Sequence, residues 1–212
     1  MIELAERFYE NGDCVMERVI NADESWIANP EVFRVNREDA HSDHAFYEEK
    51  VTEYGLDMPL RQSLNGTWKF SYADVPQKRV KDFYEENSDI SSFADIKVPG
   101  HIELAGYDTC QYINTMYPWE GHEDLRPPFV PVKHNPVGSY VTYFDIDEAL
   151  LGKKTYISFQ GVEKAFYVWI NGQFVGYSED SFTPSEWDIT PFIKEKENKL
   201  AVEVYKHSSA SW

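Results

Sequence analysis

Long apolar runs are missing from these 212 residues: none approaches the roughly 18 residues that a membrane-crossing helix needs, and Met1 to Leu4 opens an acidic, amphipathic stretch unlike an export signal. A cytoplasmic chain is the expectation. Positive charge is also scarce, with 20 Lys and Arg against 37 Asp and Glu; a net charge of −17 repels phosphate backbones and anionic lipid, so neither nucleic acid nor membrane is expected as a partner. Cysteine is limited to Cys14 and Cys110, which lack metal or redox spacing and read as free thiols. His41 and His44 stand three apart with no further ligand cluster behind them, which favours solvated or hydrogen-bonded imidazoles over a metal pair. There is no internal repeat and no βαβ alternation.

What is present is enough for a packed core: 42% hydrophobic and 16% aromatic residues. Met1 to about Ile20 has the spacing of one or two short amphipathic turns, interrupted at Asn11-Gly12, and Trp26 to about Arg61 reads as an extended arm. Residues 1–62 therefore form an N-terminal helical segment and arm, with the domain proper over 63–212. Trp68, Phe70 and Tyr72 alternate with Thr67, Lys69 and Ser71 as in a half-buried strand, while 77–87 suits a short surface helix. Residues 140–146 and 155–159 read most simply as two antiparallel strands. Asn171-Gly172, flanked by 165–170 and 173–177, is a hairpin signal, because both residues accept the positive φ of a type I′ turn. Val168 and Ile170 face one way, Tyr167 and Trp169 the other; with both faces apolar, that strand belongs in the middle of a sheet. Another strand spans 200–205. Short strands at frequent turns predict an all-β fold, an antiparallel β-sandwich.

Between these strands, Tyr112 to Gly138 fits neither periodicity. Pro118, Pro127, Pro128, Pro131 and Pro136 remove ladder donors and stiffen the run, and its aromatics argue against a flexible linker. It is either a built binding surface or a cover over a sheet edge, and residue types alone do not separate the two. Glu120, Glu123 and Asp124 cluster here, but close in sequence on irregular backbone they read as rim charges on a solvated loop and not as a catalytic acid and nucleophile.

Asn114-Thr115-Met116-Tyr117-Pro118, Pro127-Pro128-Phe129-Val130-Pro131 and Asn135-Pro136-Val137-Gly138-Ser139-Tyr140 together resemble the substrate-facing loop of family 2 β-galactosidases. Similar segments lie before it, in Trp26-Ile27-Ala28-Asn29-Pro30, Leu64-Asn65-Gly66-Thr67-Trp68 and Val98-Pro99-Gly100-His101, and after it, in Trp169-Ile170-Asn171-Gly172 and Val175-Gly176-Tyr177-Ser178. The resemblance runs from about Trp26 to Trp212. It implies a jelly-roll, the galactose-binding-domain-like N-terminal domain of an enzyme cleaving terminal β-galactosyl residues, cut before its closing strand and catalytic barrel. It places both catalytic glutamates in that barrel, which takes about 250 residues, so no catalytic residue is expected here. It assigns substrate binding to Asn114, whose amide can donate to and accept from sugar hydroxyls at once; Tyr117 and Trp119 are possible loop contacts, although buried loop anchors are the more ordinary role for such rings. The implied partners are a β-galactoside, the barrel and C-terminal domains, and a possible second copy. Sodium and magnesium are implied for the complete enzyme and no cofactor for this chain. The alternative is a stand-alone carbohydrate-binding module.

Overall fold

The computed structural model describes residues 2–6, 17–42, 47, 58–111 and 114–212. They hold eleven strands: β1 (Ile2–Glu6), β2 (Arg34–Val35), β3 (Arg61–Ser63), β4 (Gly66–Ala73), β5 (Ala94–Val98), β6 (Val137–Phe144), β7 (Thr155–Phe159), β8 (Ala165–Ile170), β9 (Gln173–Ser178), β10 (Ser185–Asp188) and β11 (Asn198–Tyr205). A small sheet runs β10-β7-β1-β3 and a large one β2-β9-β8-β11-β6-β4-β5, with every pairing antiparallel. The two pack face to face as a jelly-roll-type sandwich. Its core sets Ile157, Phe159 and Trp187 of the small sheet against Trp68, Phe70, Phe166, Val168, Ile170 and Val202 of the large one.

The large sheet is apolar on its outer face too. Tyr167, Trp169, Phe174, Tyr177, Ala201 and Tyr205 cluster there with Ile27 and Val35 of the arm and with Phe83 and Phe93 of the β4–β5 connection. This explains the doubly apolar β8, which lies between β9 and β11 with Val168 and Ile170 facing inward and Tyr167 and Trp169 outward. The arm is fixed, not free. Trp26 stacks on Tyr167 at 6.0 Å and 12°, and Trp187 Nε1 donates to Val35 O at 3.0 Å. β8 and β9 shift register between Val168 and Trp169, leaving Val175 without an opposite residue; its carbonyl instead accepts from Arg18 Nη2 (2.7 Å) and Asn36 Nδ2 (3.1 Å).

Asn171 and Gly172 turn the β8–β9 hairpin at φ 51° and 78°, as the turn chemistry requires. Three expectations are corrected. Ile2–Glu6 is a strand between β7 and β3, not an amphipathic turn, while residues 7–16, with Asn11-Gly12 and Cys14, lie outside the described residues. Strands β6 and β7 do not pair: β6 sits in the large sheet beside β11 and β4, and β7 in the small one. The surface helix over 77–87 is a 3-10 turn at Pro76–Lys78 followed by irregular turns, and among the described residues every helical turn is of that tight, short kind.

The reason the 77–87 helix fails is a cation beneath it. Lys199, 1% exposed, donates through Nζ to Phe83 O (2.9 Å), Glu85 O (2.6 Å) and Ser88 Oγ (2.7 Å), holding this stretch in tight turns such as Ser88 N to Glu85 O (3.1 Å), and Asp82 adopts φ 56°. Burial holds the Lys199 ammonium below its ordinary pKa. Lys199→Met keeps the apolar stem but removes three charge-assisted hydrogen bonds, leaving Phe83 O with only Ser88 Oγ (2.6 Å) and Glu85 O with only Ser88 N (3.1 Å), and should lower stability by about 2 kcal/mol in urea unfolding. An unchanged midpoint would show that water replaces the ammonium at no cost.

Candidate functional site

The proline-rich loop is built around one ring. Trp119 is 1% exposed, stacks on Tyr117 (5.6 Å, 9°) and meets Trp212 (4.8 Å, 70°) and His207 (5.4 Å, 76°) edge-on. Trp212 Nε1 also donates to Phe129 O at 2.9 Å. The Glu123 carboxylate closes the loop on itself, accepting from the backbone N–H groups of Lys133 (2.7 Å) and Val132 (3.3 Å). Buried Asn135 ties the loop to the chain just past β11: Nδ2 donates to His207 O and Oδ1 accepts from His207 N, both at 2.9 Å.

These anchors leave one end of the loop facing water. Asn114 is exposed, and its amide has no hydrogen-bond partner among the described residues. Tyr117 is 41% exposed, with one face covered by Trp119, and Trp119 itself is enclosed as the anchor, with no free ring face to offer. Tyr112 and Ile113 lie outside the described residues. Beside the loop a cleft of about 660 Å³ opens between the ends of the sheets, lined by Trp68, Tyr140, Phe159, Val204, Lys206 and His207 among others; Asn114 is not one of its walls.

Buried carboxylates in this chain hold structure together. Glu203 accepts from Tyr205 Oη (2.8 Å) and Arg79 Nε (3.2 Å), and Glu186 pairs with His41 Nε2 at 2.7 Å. Glu179 accepts from Tyr177 Oη, Ser208 Oγ, Ser209 Oγ and Ala210 N. Burial raises the pKa of Glu179 and of Glu203. With Glu123 clasping its loop, no pair of these groups is free to flank a glycosidic bond. Among the described residues no group of three His, Cys, Asp or Glu could hold a metal ion. His44 lies outside the described residues, and Cys110 is an exposed free thiol.

Burial pulls His207 down to about 4, helped by the positive charge of Lys206 and by His134, and His134 is lowered mainly by burial as well. Folded His207 stays neutral while the unfolded chain takes up its proton near pH 6.5. Stability should therefore fall as pH drops from about 6.5 to about 4, by up to about 3 kcal/mol from this group. Asp180, held down to about 2, loses its contribution in a lower window that begins below pH 4. Urea unfolding at several pH values checks this; a His207→Gln chain with the same slope between pH 6.5 and 4 would refute the assignment.

Residues 61–212 match the family described as "Glycosyl hydrolases family 2, sugar binding domain". The chain belongs to glycosyl hydrolase family 2. The chain is 64% identical over 189 residues to a "Beta-galactosidase" of Clostridium acetobutylicum, covering 88% of this chain and 21% of that protein. It is 50% identical over 205 residues to a "Beta-galactosidase large subunit" of Leuconostoc lactis, covering 91% of this chain and 33% of the relative. The chain thus spans a fifth to a third of the length of these relatives. An uncultured Clostridium sp. β-glucuronidase structure aligns with 68% of this chain and 21% of its own, at TM-score 0.48 and 21% identity.

Sequence reasoning missed the family 2 domain's clamps. The roles of Asn135, Glu179 and His207 carry no local sequence signal, because they depend on contacts between segments 29 to 72 residues apart.

Proposed function

We propose that this chain is the sugar-binding domain of a β-galactosidase that hydrolyses terminal β-D-galactosyl residues of lactose-type substrates, and that it contributes substrate contacts and assembly surface but no catalytic carboxylate. The observation that carries the reading is the identity with proteins named β-galactosidase over nearly nine tenths of the chain. Two features support it: an anchored loop exposes Asn114, whose amide has no partner among the described residues, and the buried carboxylates described above are engaged elsewhere. Catalysis is assigned to a barrel domain downstream of residue 212, with this loop forming one wall of the shared site.

Hydrolysis of o-nitrophenyl β-galactoside tests the proposal. A longer protein carrying this domain and the barrel should turn over, and the 212-residue chain should not. Turnover by the chain alone that an Asp or Glu substitution within it abolishes would overturn the reading, and micromolar galactose binding by the chain would favour a self-sufficient binding module.

A further inference from the structure

Glu179 lies just past the end of β9, 5% exposed, and among the described residues no cation pairs with it. Its Oε1 accepts from Tyr177 Oη; its Oε2 accepts from Ser208 Oγ (3.1 Å), Ser209 Oγ (3.3 Å) and Ala210 N (3.1 Å). Three of the four donors belong to one tight turn, Ser209–Ser211 with its cap Ser208, and a 3-10 turn of three small residues has little stability of its own. A buried carboxylate collecting these donors supplies the missing anchor.

That turn delivers the loop's supports. Its entry, His207, is clasped through its backbone by Asn135 and sets its ring against Trp119, while its exit, Trp212, packs on Tyr117 (4.6 Å, 61°) and Trp119 and donates to Phe129 O. A continuous set of contacts therefore runs from Glu179 through 208–210 to His207 and Trp212, then to Trp119, five residues along the chain from Asn114. We propose that Glu179 is a positioning residue for the sugar-facing loop: its carboxylate locks the 208–211 turn and thereby holds Asn114 where a galactosyl unit meets it. This rests on the reading of Asn114 given under Proposed function; no proton transfer or bond making is assigned to Glu179.

Two measurements separate this proposal from that reading. In the 212-residue chain, Glu179→Ala should raise the rate of limited proteolysis within 120–134 at least about tenfold, because the loop loses its packed partners. Glu179→Gln keeps a side-chain oxygen for the serine and backbone donors, and its amide can donate to Tyr177 Oη, so cleavage should stay near the original rate. Ser209→Ala, which removes one surface-side donor and leaves the core intact, should give a smaller rise and keeps the test decisive if Glu179→Ala fails to fold. Unchanged cleavage in the folded Ala variants, or equal acceleration by the Gln and Ala variants, overturns the positioning role whatever the kinetics show.

In the longer β-galactosidase, Glu179→Ala should lower kcat/KM by about 10- to 100-fold and Glu179→Gln by less than about threefold. In an Asn114→Ala background, Glu179→Ala should cost less than about threefold more, since the residue it positions is gone. Fully multiplicative losses would overturn action through Asn114. An Asn114→Ala enzyme with unaltered kcat/KM, together with accelerated loop cleavage in Glu179→Ala, would instead sink the sugar-contact reading and leave Glu179 as the loop's anchor.

Discussion

Gly176→Ala should destabilise the chain by about 2–5 kcal/mol, a larger loss than most single substitutions cause. The glycine sits in β9 where the Trp187 indole crosses from the small sheet to the arm, and a Cβ there would stand 2.6 Å from both Trp187 Cδ1 and the Val35 carbonyl oxygen, with Nε1 closer still. None of these neighbours can yield. Trp187 is fully buried, wedged edge-on against Phe166 (5.6 Å) and Phe159 (5.9 Å), and its Nε1 donates to that same Val35 oxygen. Relief would have to break the indole hydrogen bond and pull β2 from β9, undoing the Arg34–Ser178 and Val35–Tyr177 pairing that fastens the arm. Overpacking alone costs about 1–3 kcal/mol and the orphaned indole N–H about 1–2 more. Urea unfolding followed by circular dichroism and tryptophan emission measures it; a loss below about 1 kcal/mol would mean that the gap between sheet and arm is looser than the geometry requires.

The same region shows why some of the fold can be read from the chain and some cannot. The Asn171-Gly172 turn and the alternation of residues 165–170 are local signals, set by φ preferences and by which side of a strand each residue occupies. That β8 has two apolar faces was legible; that the second face is covered by Trp26 and Ile27, over a hundred residues earlier, was not, since only tertiary packing brings the arm there. Residues 77–87 mislead for a similar reason. Their charges and spacing suit a helix, but Lys199, from a strand far along the chain, claims Phe83 O and Glu85 O. Strands β6 and β7 follow each other in sequence yet lie in different sheets, because two apolar layers need covering and consecutive strands can cross between them. The loop was visible through its prolines and rings. Which ring serves as anchor was not: Tyr117 and Trp119 differ by two positions, and only the arrival of His207 and Trp212 makes Trp119 the enclosed one.

If the longer protein is the β-galactosidase proposed above, Asn114→Ala in it should lower kcat/KM by about 30- to 900-fold, corresponding to roughly 2–4 kcal/mol of transition-state stabilisation. In the chain alone Asn114 is exposed, and one amide hydrogen bond at a wet surface contributes only about 0.5–1.5 kcal/mol, less than association costs in lost freedom. Galactose should therefore show no calorimetric binding to the 212-residue chain at millimolar concentration. The same amide becomes worth more once a second wall excludes water, because the bond then forms at low dielectric and its loss leaves a sugar hydroxyl unpaired. Loop rigidity decides how much of that gain is realised. With Trp119 packed on three sides, Glu123 bonded to two backbone amides and Asn135 clasping His207, an Asn114 amide that met the proposed sugar would lose little further ordering entropy. If the grip tightens as the ring distorts towards its oxocarbenium-like transition state, the loss appears in kcat; if it is equal in ground and transition states, it appears in KM alone. Steady-state kinetics on o-nitrophenyl β-galactoside distinguish the two, and unchanged kcat/KM in the folded variant would return Asn114 to an ordinary surface residue of the loop.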